Sequence, residues 1–129
     1  DQRVLVITGD GEMLMGLGSL STVGLQQPKN LAVVVLDNEH FGETGMQTTH
    51  TAGSVNLAEI ARASGISSSW TVRESSEIST TREKLLHEEG PLFCGIKVRA
   101  ETLPLVLPPK EGEILQKRFR NALMNENGD

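Results

Sequence analysis

Arg3-Val4-Leu5-Val6-Ile7-Thr8-Gly9-Asp10-Gly11-Glu12-Met13 carries the reading that decides the fold. Residues 3–8 are apolar and β-branched on consecutive positions, the pattern of a strand buried on both faces. Gly9-Asp10-Gly11 stops that run abruptly. Met13, Leu14, Leu17, Leu20 and Val23 then recur at helical spacing, and Gly24 and Pro28 bracket the expected end of one helix. A second apolar run, Leu31–Leu36, ends in the equally polar Asp37-Asn38.

Working outward, the alternation continues. Residues 39–55 are rich in Gly, Thr and His and make a long connection, the kind that is functional or mobile. With few apolar anchors, it is expected to be mobile until a ligand orders it. Asn56, with Glu59 three residues on, predicts a helix start; Leu57, Ile60 and Ala61 supply its buried face as far as Gly65. Ser69–Val72 reads as a weak strand. Ser76 is expected to cap a helix carrying Ile78, Leu85 and Leu86, closed by Gly90-Pro91. Leu92–Val98 reads as a further strand, with Cys94 in the core. A connection marked by Pro104, Pro108 and Pro109 leads to a last helix with Ile114, Leu115, Phe119 and Leu123, and the polar tail 125–129 is expected to fray. Strands alternating with helices predict an α/β fold: a three-layer α/β/α domain around a parallel sheet. One domain over residues 1–129 is expected. Because it opens on a core-type strand, one or more strands upstream of Asp1 are expected to be missing from it.

Composition narrows the function. The chain has 129 residues, a net charge of −5 and aromatics at 3 %. It offers neither a basic stripe for a phosphate backbone nor a set of rings for stacking bases, so no nucleic-acid partner is expected. No apolar run approaches the roughly 18 residues of a membrane span. Cys94 is the only cysteine, which fits a reducing, cytoplasmic setting.

The first turn carries the chemistry. Two glycines allow a tight bend and close approach of a ligand, and a helix starting at once offers free N–H groups to an anion. Asp10 lies between the glycines and would repel a phosphate. A divalent cation between carboxylate and phosphate removes the conflict, and magnesium suits that place. Asn38, after the next strand, stands where a second oxygen ligand is needed. A dinucleotide site is the rival reading, since Gly9 and Gly11 match its first two glycines. Leu14 stands where that motif needs Gly or Ala, and Asp10 would face a pyrophosphate without a cation.

Gly9-Asp10-Gly11, the stretch 12–36, then Asp37-Asn38 resembles the thiamine-diphosphate motif, which runs Gly-Asp-Gly, a stretch of that length, then Asn-Asn. The text from Gly9 to Gly45 is similar to the diphosphate-binding part of sulfopyruvate and phosphonopyruvate decarboxylases, as is the closing Lys117-Arg118-Phe119 helix. The one departure is Asp37, where many members carry Asn. The resemblance implies thiamine diphosphate and Mg as cofactors. It implies side-chain oxygens from Asp10 and Asn38 on the metal, with the main-chain oxygen of His40 as a third. It places Gly9, Gly11, Glu12 and Met13 at the diphosphate, with Gly42 and Glu43 on a loop that closes on it. It further implies a lyase acting on a small 2-oxo acid. Such an enzyme would be an oligomer, homomeric or heteromeric, active only with a pyrimidine-binding α subunit or domain that supplies the glutamate needed to activate the cofactor.

Two alternatives stay open: a carboligase subunit of the acetolactate-synthase kind, and a non-catalytic cofactor-binding module. No catalytic residue is identified outright. Glu43 and His50 are weak acid–base candidates, against solvated surface roles. His40, His50 and His87 match no zinc spacing, and His87 is expected on a solvated helix face.

Overall fold

The longest apolar runs line up side by side. A computed structural model describes residues 2–102, 104 and 106–125. Strands β1 (Val4–Gly9), β2 (Leu31–Asp37), β5 (Ser68–Val72) and β6 (Leu92–Lys97) form one parallel sheet in the order β1-β2-β6-β5. A two-residue hairpin of β3 (His40–Phe41) and β4 (Gln47–Thr48) stands apart, formed from the connection that follows β2. The helices are α1 (Asp10–Met15), α2 (Ser19–Gln26), α3 (Leu57–Ala63), α4 (Ile78–His87) and α5 (Gly112–Asn125).

Period-two alternation along β2 splits the core into two layers. Val33 and Val35 point into a cluster with Met13, Leu20, Leu57, Ala58, Ala61, Ile66 and Phe93, under α1, α2 and α3. Ala32 and Val34 point the other way, to Val72, Leu85, Leu92 and Cys94, under α4. The three-layer α/β/α architecture follows from that alternation.

β1 departs from the expectation. Val4, Leu5, Val6 and Ile7 are 47 %, 43 %, 40 % and 61 % exposed, so the strand is not buried on both faces. Its place explains this: β1 is an edge strand, paired only with β2, and none of its residues belongs to either core cluster among the described residues.

The predicted single helix after Gly11 is also two. Gly16-Leu17-Gly18 interrupts it, because glycines weaken a helix interior. Gly24 does not end α2; it lies inside it. A Cβ there would stand 1.8 Å from the Ser64 carbonyl oxygen, so glycine is what lets α2 meet the end of α3. Gln27, at φ 47°, ends α2 instead, its Nε2 donating to the Gly24 and Gly65 carbonyl oxygens at 2.5 and 2.9 Å.

Asn56 caps α3 as predicted, accepting from the N–H groups of Ala58 and Glu59. Ser76 does not cap α4. Residues Ser75–Glu77 form a 3₁₀ turn whose Glu77 carboxylate accepts from the Arg73 and Glu74 N–H groups at 3.0 and 2.9 Å. α4 stops at His87, before Gly90-Pro91. Cys94 is fully buried, and burial followed by the charge of Glu77 pushes its thiol up to about 12. His87 is solvated, as expected. Pro104, Pro108 and Pro109 lie outside any helix or strand. α5 forms, with Ile114, Leu115 and Phe119 exposed. The tail reading at 126–129 lies outside the described residues. No described helix is long and apolar enough to cross a membrane.

Candidate functional site

The sheet register brings the two polar turns together. Gly9 pairs with Leu36 and Asp37 with Lys97, so the carboxyl ends of β1, β2 and β6 are neighbours. Ligands in such sheets sit beyond these ends.

Beyond β1, the backbone turns at Gly9 and α1 begins at Asp10, which is 2 % exposed. Glu12 reaches back over this turn. Its Oε2 accepts from the Thr8 hydroxyl at 2.6 Å and from the Gly9 N–H at 3.0 Å, and these bonds hold its carboxyl below the usual range. Gly11 leaves room for a neighbour: a Cβ there would stand 2.7 Å from two carbons of the Phe41 ring, so glycine lets that ring lie against the first turn of α1. α1 has only six residues, so its macrodipole is weaker than the continuous helix predicted from sequence would provide.

Beyond β2, Asp37 and Asn38 diverge. Asn38 Oδ1 accepts from the His40 N–H at 2.9 Å, a tight local turn. His40 Nδ1 lies 2.9 Å from the Asn38 carbonyl oxygen. Glu39 takes the left-handed region at φ 63°, held by its N–H to Asp37 Oδ1 at 3.0 Å and by its carboxylate to Lys97 Nζ at 2.6 Å. Strained backbone of this kind persists where surrounding bonds over-determine it.

These turns line one cavity of about 480 Å³, within the size range of small-molecule sites. Gly9, Asp10, Gly11, Glu12, Asn38, His40, Gly42 and Glu43 all contribute to it. Met13 does not: it points into the core, leaving only its main chain in the first turn of α1. His50 does not either; it is exposed, at the start of the 3₁₀ turn His50–Ala52. The connection 39–55 is also better anchored than its composition suggested, and the anchors are polar.

Those anchors are what sequence reasoning missed. Thr49 and Thr51 are both 4 % exposed. The Thr49 hydroxyl donates to Asp10 Oδ2 at 2.5 Å, and the Thr51 hydroxyl to Asp37 Oδ1 at 2.7 Å. Lys97 Nζ pairs with Asp37 Oδ2 at 2.9 Å. Burial alone would lower the Lys97 pKa, but hydrogen bonds and charge from Glu39 and Asp37 outweigh it and leave the ammonium group above its usual range. Asp37 is thus committed to Thr51 and Lys97 and faces away from the cavity that Asn38 lines. Thr49 enters and Thr51 lies within the 3₁₀ turn His50–Ala52, and no local sequence pattern marks either as a partner of a carboxylate.

The donor set admits a hard cation. Asp10, Glu12 and Glu43 line the cavity, against one guanidinium, that of Arg99, which is itself 3.0 Å from Glu101. A bare diphosphate would meet net negative charge. Among the described residues no three His, Cys, Asp or Glu side chains gather into a metal cage. One buried carboxylate and one carboxamide fit magnesium, which completes its shell with phosphate oxygens and water.

Comparison with known proteins agrees. Residues 1–96 match the family described as thiamine pyrophosphate enzyme, C-terminal TPP binding domain. The chain is 38 % identical to the sulfopyruvate decarboxylase subunit beta of Methanocaldococcus jannaschii, over 95 % of this chain and 65 % of that protein. It is 36 % identical to the phosphonopyruvate decarboxylase of Streptomyces viridochromogenes, over 91 % of this chain and 30 % of that protein. It is 22 % identical to the acetolactate synthase isozyme 1 large subunit of Escherichia coli, over 84 % of this chain and 21 % of that protein. The chain therefore spans less than two-thirds of each of these relatives, and it belongs to the thiamine diphosphate enzymes as their C-terminal, cofactor-binding domain.

Proposed function

We propose that this chain holds the diphosphate end of thiamine diphosphate through a magnesium ion, as the diphosphate-binding part of a 2-oxo acid decarboxylase. The observation that supports this is the meeting of Asp10 and Asn38, from neighbouring strand ends, in one cavity with Gly9, Gly11, His40, Gly42 and Glu43. Asp10 and Asn38 give the cation their side-chain oxygens, and His40 its main-chain oxygen. The main chain at Gly11, Glu12 and Met13, with Gly42 and Glu43, orients the phosphates. When bound, thiamine diphosphate supplies the electron sink for the carbanion that decarboxylation leaves.

Of the two acid–base candidates, Glu43 lines the cavity and His50 does not, so Glu43 is the one assigned to proton transfer. The relatives named above act, by their names, on sulfopyruvate and phosphonopyruvate. The higher identity to these decarboxylases than to the synthase favours decarboxylation over an acetolactate-type carboligation.

The glutamate that activates the cofactor belongs, in this reading, to a pyrimidine-binding partner. The test is co-purification with that partner, followed by carbon dioxide release from a panel of 2-oxo acids with and without a sulfonate or phosphonate. Release that shows no dependence on Mg²⁺ or thiamine diphosphate would reject it.

A further inference from the structure

Thr49 stands between the two turns that carry the candidate cation ligands. Its side chain donates to Asp10 Oδ2 at 2.5 Å. Its main-chain N–H donates to the Glu39 carbonyl oxygen at 2.8 Å, one residue beyond Asn38. One residue therefore pins the turn after β1 to the turn after β2.

Proton counting separates Thr49 from its neighbour. Each threonine hydroxyl has one proton to give. Thr51 Oγ1 lies 2.7 Å from Asp37 Oδ1 and 3.2 Å from Asp10 Oδ2, so its proton goes to Asp37. That leaves Thr49 as the donor to Asp10. All hydrogen bonds to the Asp10 carboxylate among the described residues fall on Oδ2. Oδ1 is the oxygen without one, and the terminal torsion of a free aspartate is broad. The whole group is buried, so no solvent competes for the Thr49 bond.

We propose that Thr49 is a positioning residue for the divalent cation: its hydroxyl fixes the Asp10 carboxylate with Oδ1 toward the cavity, and its main chain sets the separation of Asp10 from Asn38. Thr51, Asp37 and Lys97 form the support behind it. This inference rests on the reading of Asp10 as a cation ligand. Groups that orient metal ligands carry about 10- to 100-fold in metal affinity when removed.

The test is Mn²⁺ binding by the full chain with thiamine diphosphate, followed by electron paramagnetic resonance, which reports both affinity and the symmetry of the ligand field. Thr49→Val is expected to weaken Mn²⁺ by about 10- to 100-fold and to broaden its spectrum. Thr49→Ser, which keeps the hydroxyl, should restore both. Thr51→Val should shift affinity less than Thr49→Val. Thr49→Cys, whose thiol is a weak donor, serves if Thr49→Val does not fold, and failure of both to fold would make the role structural and overturn the proposal. Wild-type affinity and line shape in Thr49→Val, with binding lost in Asp10→Ala, would also overturn it while leaving the cation site standing. Unchanged binding in Asp10→Ala, or none in the wild type, would instead remove the reading on which it rests.

Discussion

The Thr49 hydroxyl reaches Oδ2 of Asp10 across 2.5 Å although 39 positions separate the two residues. Around this bond a buried chain of polar groups runs from Asp10 through Thr49, Thr51 and Asp37 to Lys97. A hydrogen-bonded carboxylate inside a protein is tolerable; under the proposed function, the Asp10 carboxylate, which lines a cavity with Glu12 and Glu43, is offered to a cation.

Asp10→Ala should therefore abolish stabilisation by cofactor. A ligand that binds only the folded state at 100 times its Kd adds about 2.7 kcal/mol. Wild type should gain that amount with thiamine diphosphate and Mg²⁺ together, and little with either alone. The variant should gain nothing. Thermal unfolding with and without chelator measures both, and an equal gain in chelator would exclude the bridge.

Thr51→Val tests the support behind the site. The substitution leaves Asp37 Oδ1 with one fewer donor in a buried place, and such a loss costs about 1–3 kcal/mol. Denaturant unfolding should show a lower midpoint at unchanged slope. A midpoint equal to wild type would mean that the Lys97 pair and the Glu39 N–H satisfy Asp37 unaided.

How far the sequence carried the reading depended on the range of each interaction. β2, β6, α3 and the two polar turns were legible, because periodicity and capping are local. Gly24 and Pro28 do bracket the end of α2 at Gln26, but the reason for glycine at 24 was not legible, since it is the Ser64 carbonyl forty positions away in the chain. The exposure of β1 was not legible either: its composition is that of a central strand, while its position at the sheet edge depends on which strands pair. In the site, Asp10 and Asn38 were readable from their spacing. Thr49 and Thr51 were not, because an ordinary loop threonine looks the same until the fold sets it beside a carboxylate.

Gly24→Ala tests the contact at the Ser64 carbonyl. Alanine is the better helix former by about 1 kcal/mol. Here the Cβ would stand 1.8 Å from a backbone oxygen and 2.8 Å from its carbon, and backbone cannot swing aside as a side chain can. Overpacking costs about 1–3 kcal/mol, so the net effect should be destabilising. A neutral or stabilising result in chemical denaturation would show that α2 and α3 part without cost.

Alkaline stability should depend on Cys94. Its folded pKa is raised to about 12 by burial and by Glu77, while an unfolded thiol titrates near about 8.5. The raised value means that its contribution is complete below the unfolded pKa and is lost as pH rises toward the folded one. Lys97, also raised, acts in the same direction at higher pH. Stability should therefore fall above about pH 8.5, and Cys94→Ala should flatten that limb. Thiol labelling of the wild type at neutral pH should proceed only as fast as unfolding. Rapid labelling without unfolding would contradict the burial.

The last expectation is that this chain, assayed alone, does not decarboxylate a 2-oxo acid. Among the described residues of the cavity, Glu43 is the one exposed carboxylate not already held by a hydrogen bond or a buried partner, and it lies on the loop proposed to close on the phosphates. Glu12 is occupied by Thr8 and Gly9, and Asp10 by Thr49. Neither of those two is free to protonate a pyrimidine ring, and Glu43 is the residue proposed above for the phosphates and for proton transfer. Val4, Leu5, Val6 and Ile7, at 40–61 % exposure on the two faces of edge strand β1, leave apolar surface and an unpaired strand edge that favour association. Sedimentation should show self-association, or a complex once the pyrimidine-binding partner is added, and activity should appear only in that complex. Adding the partner should raise turnover from background, and replacing the partner's activating glutamate with glutamine should return it there. A monomer of this chain that released carbon dioxide unaided would require Glu43 to take over activation of the cofactor, and Glu43→Gln would then abolish that activity.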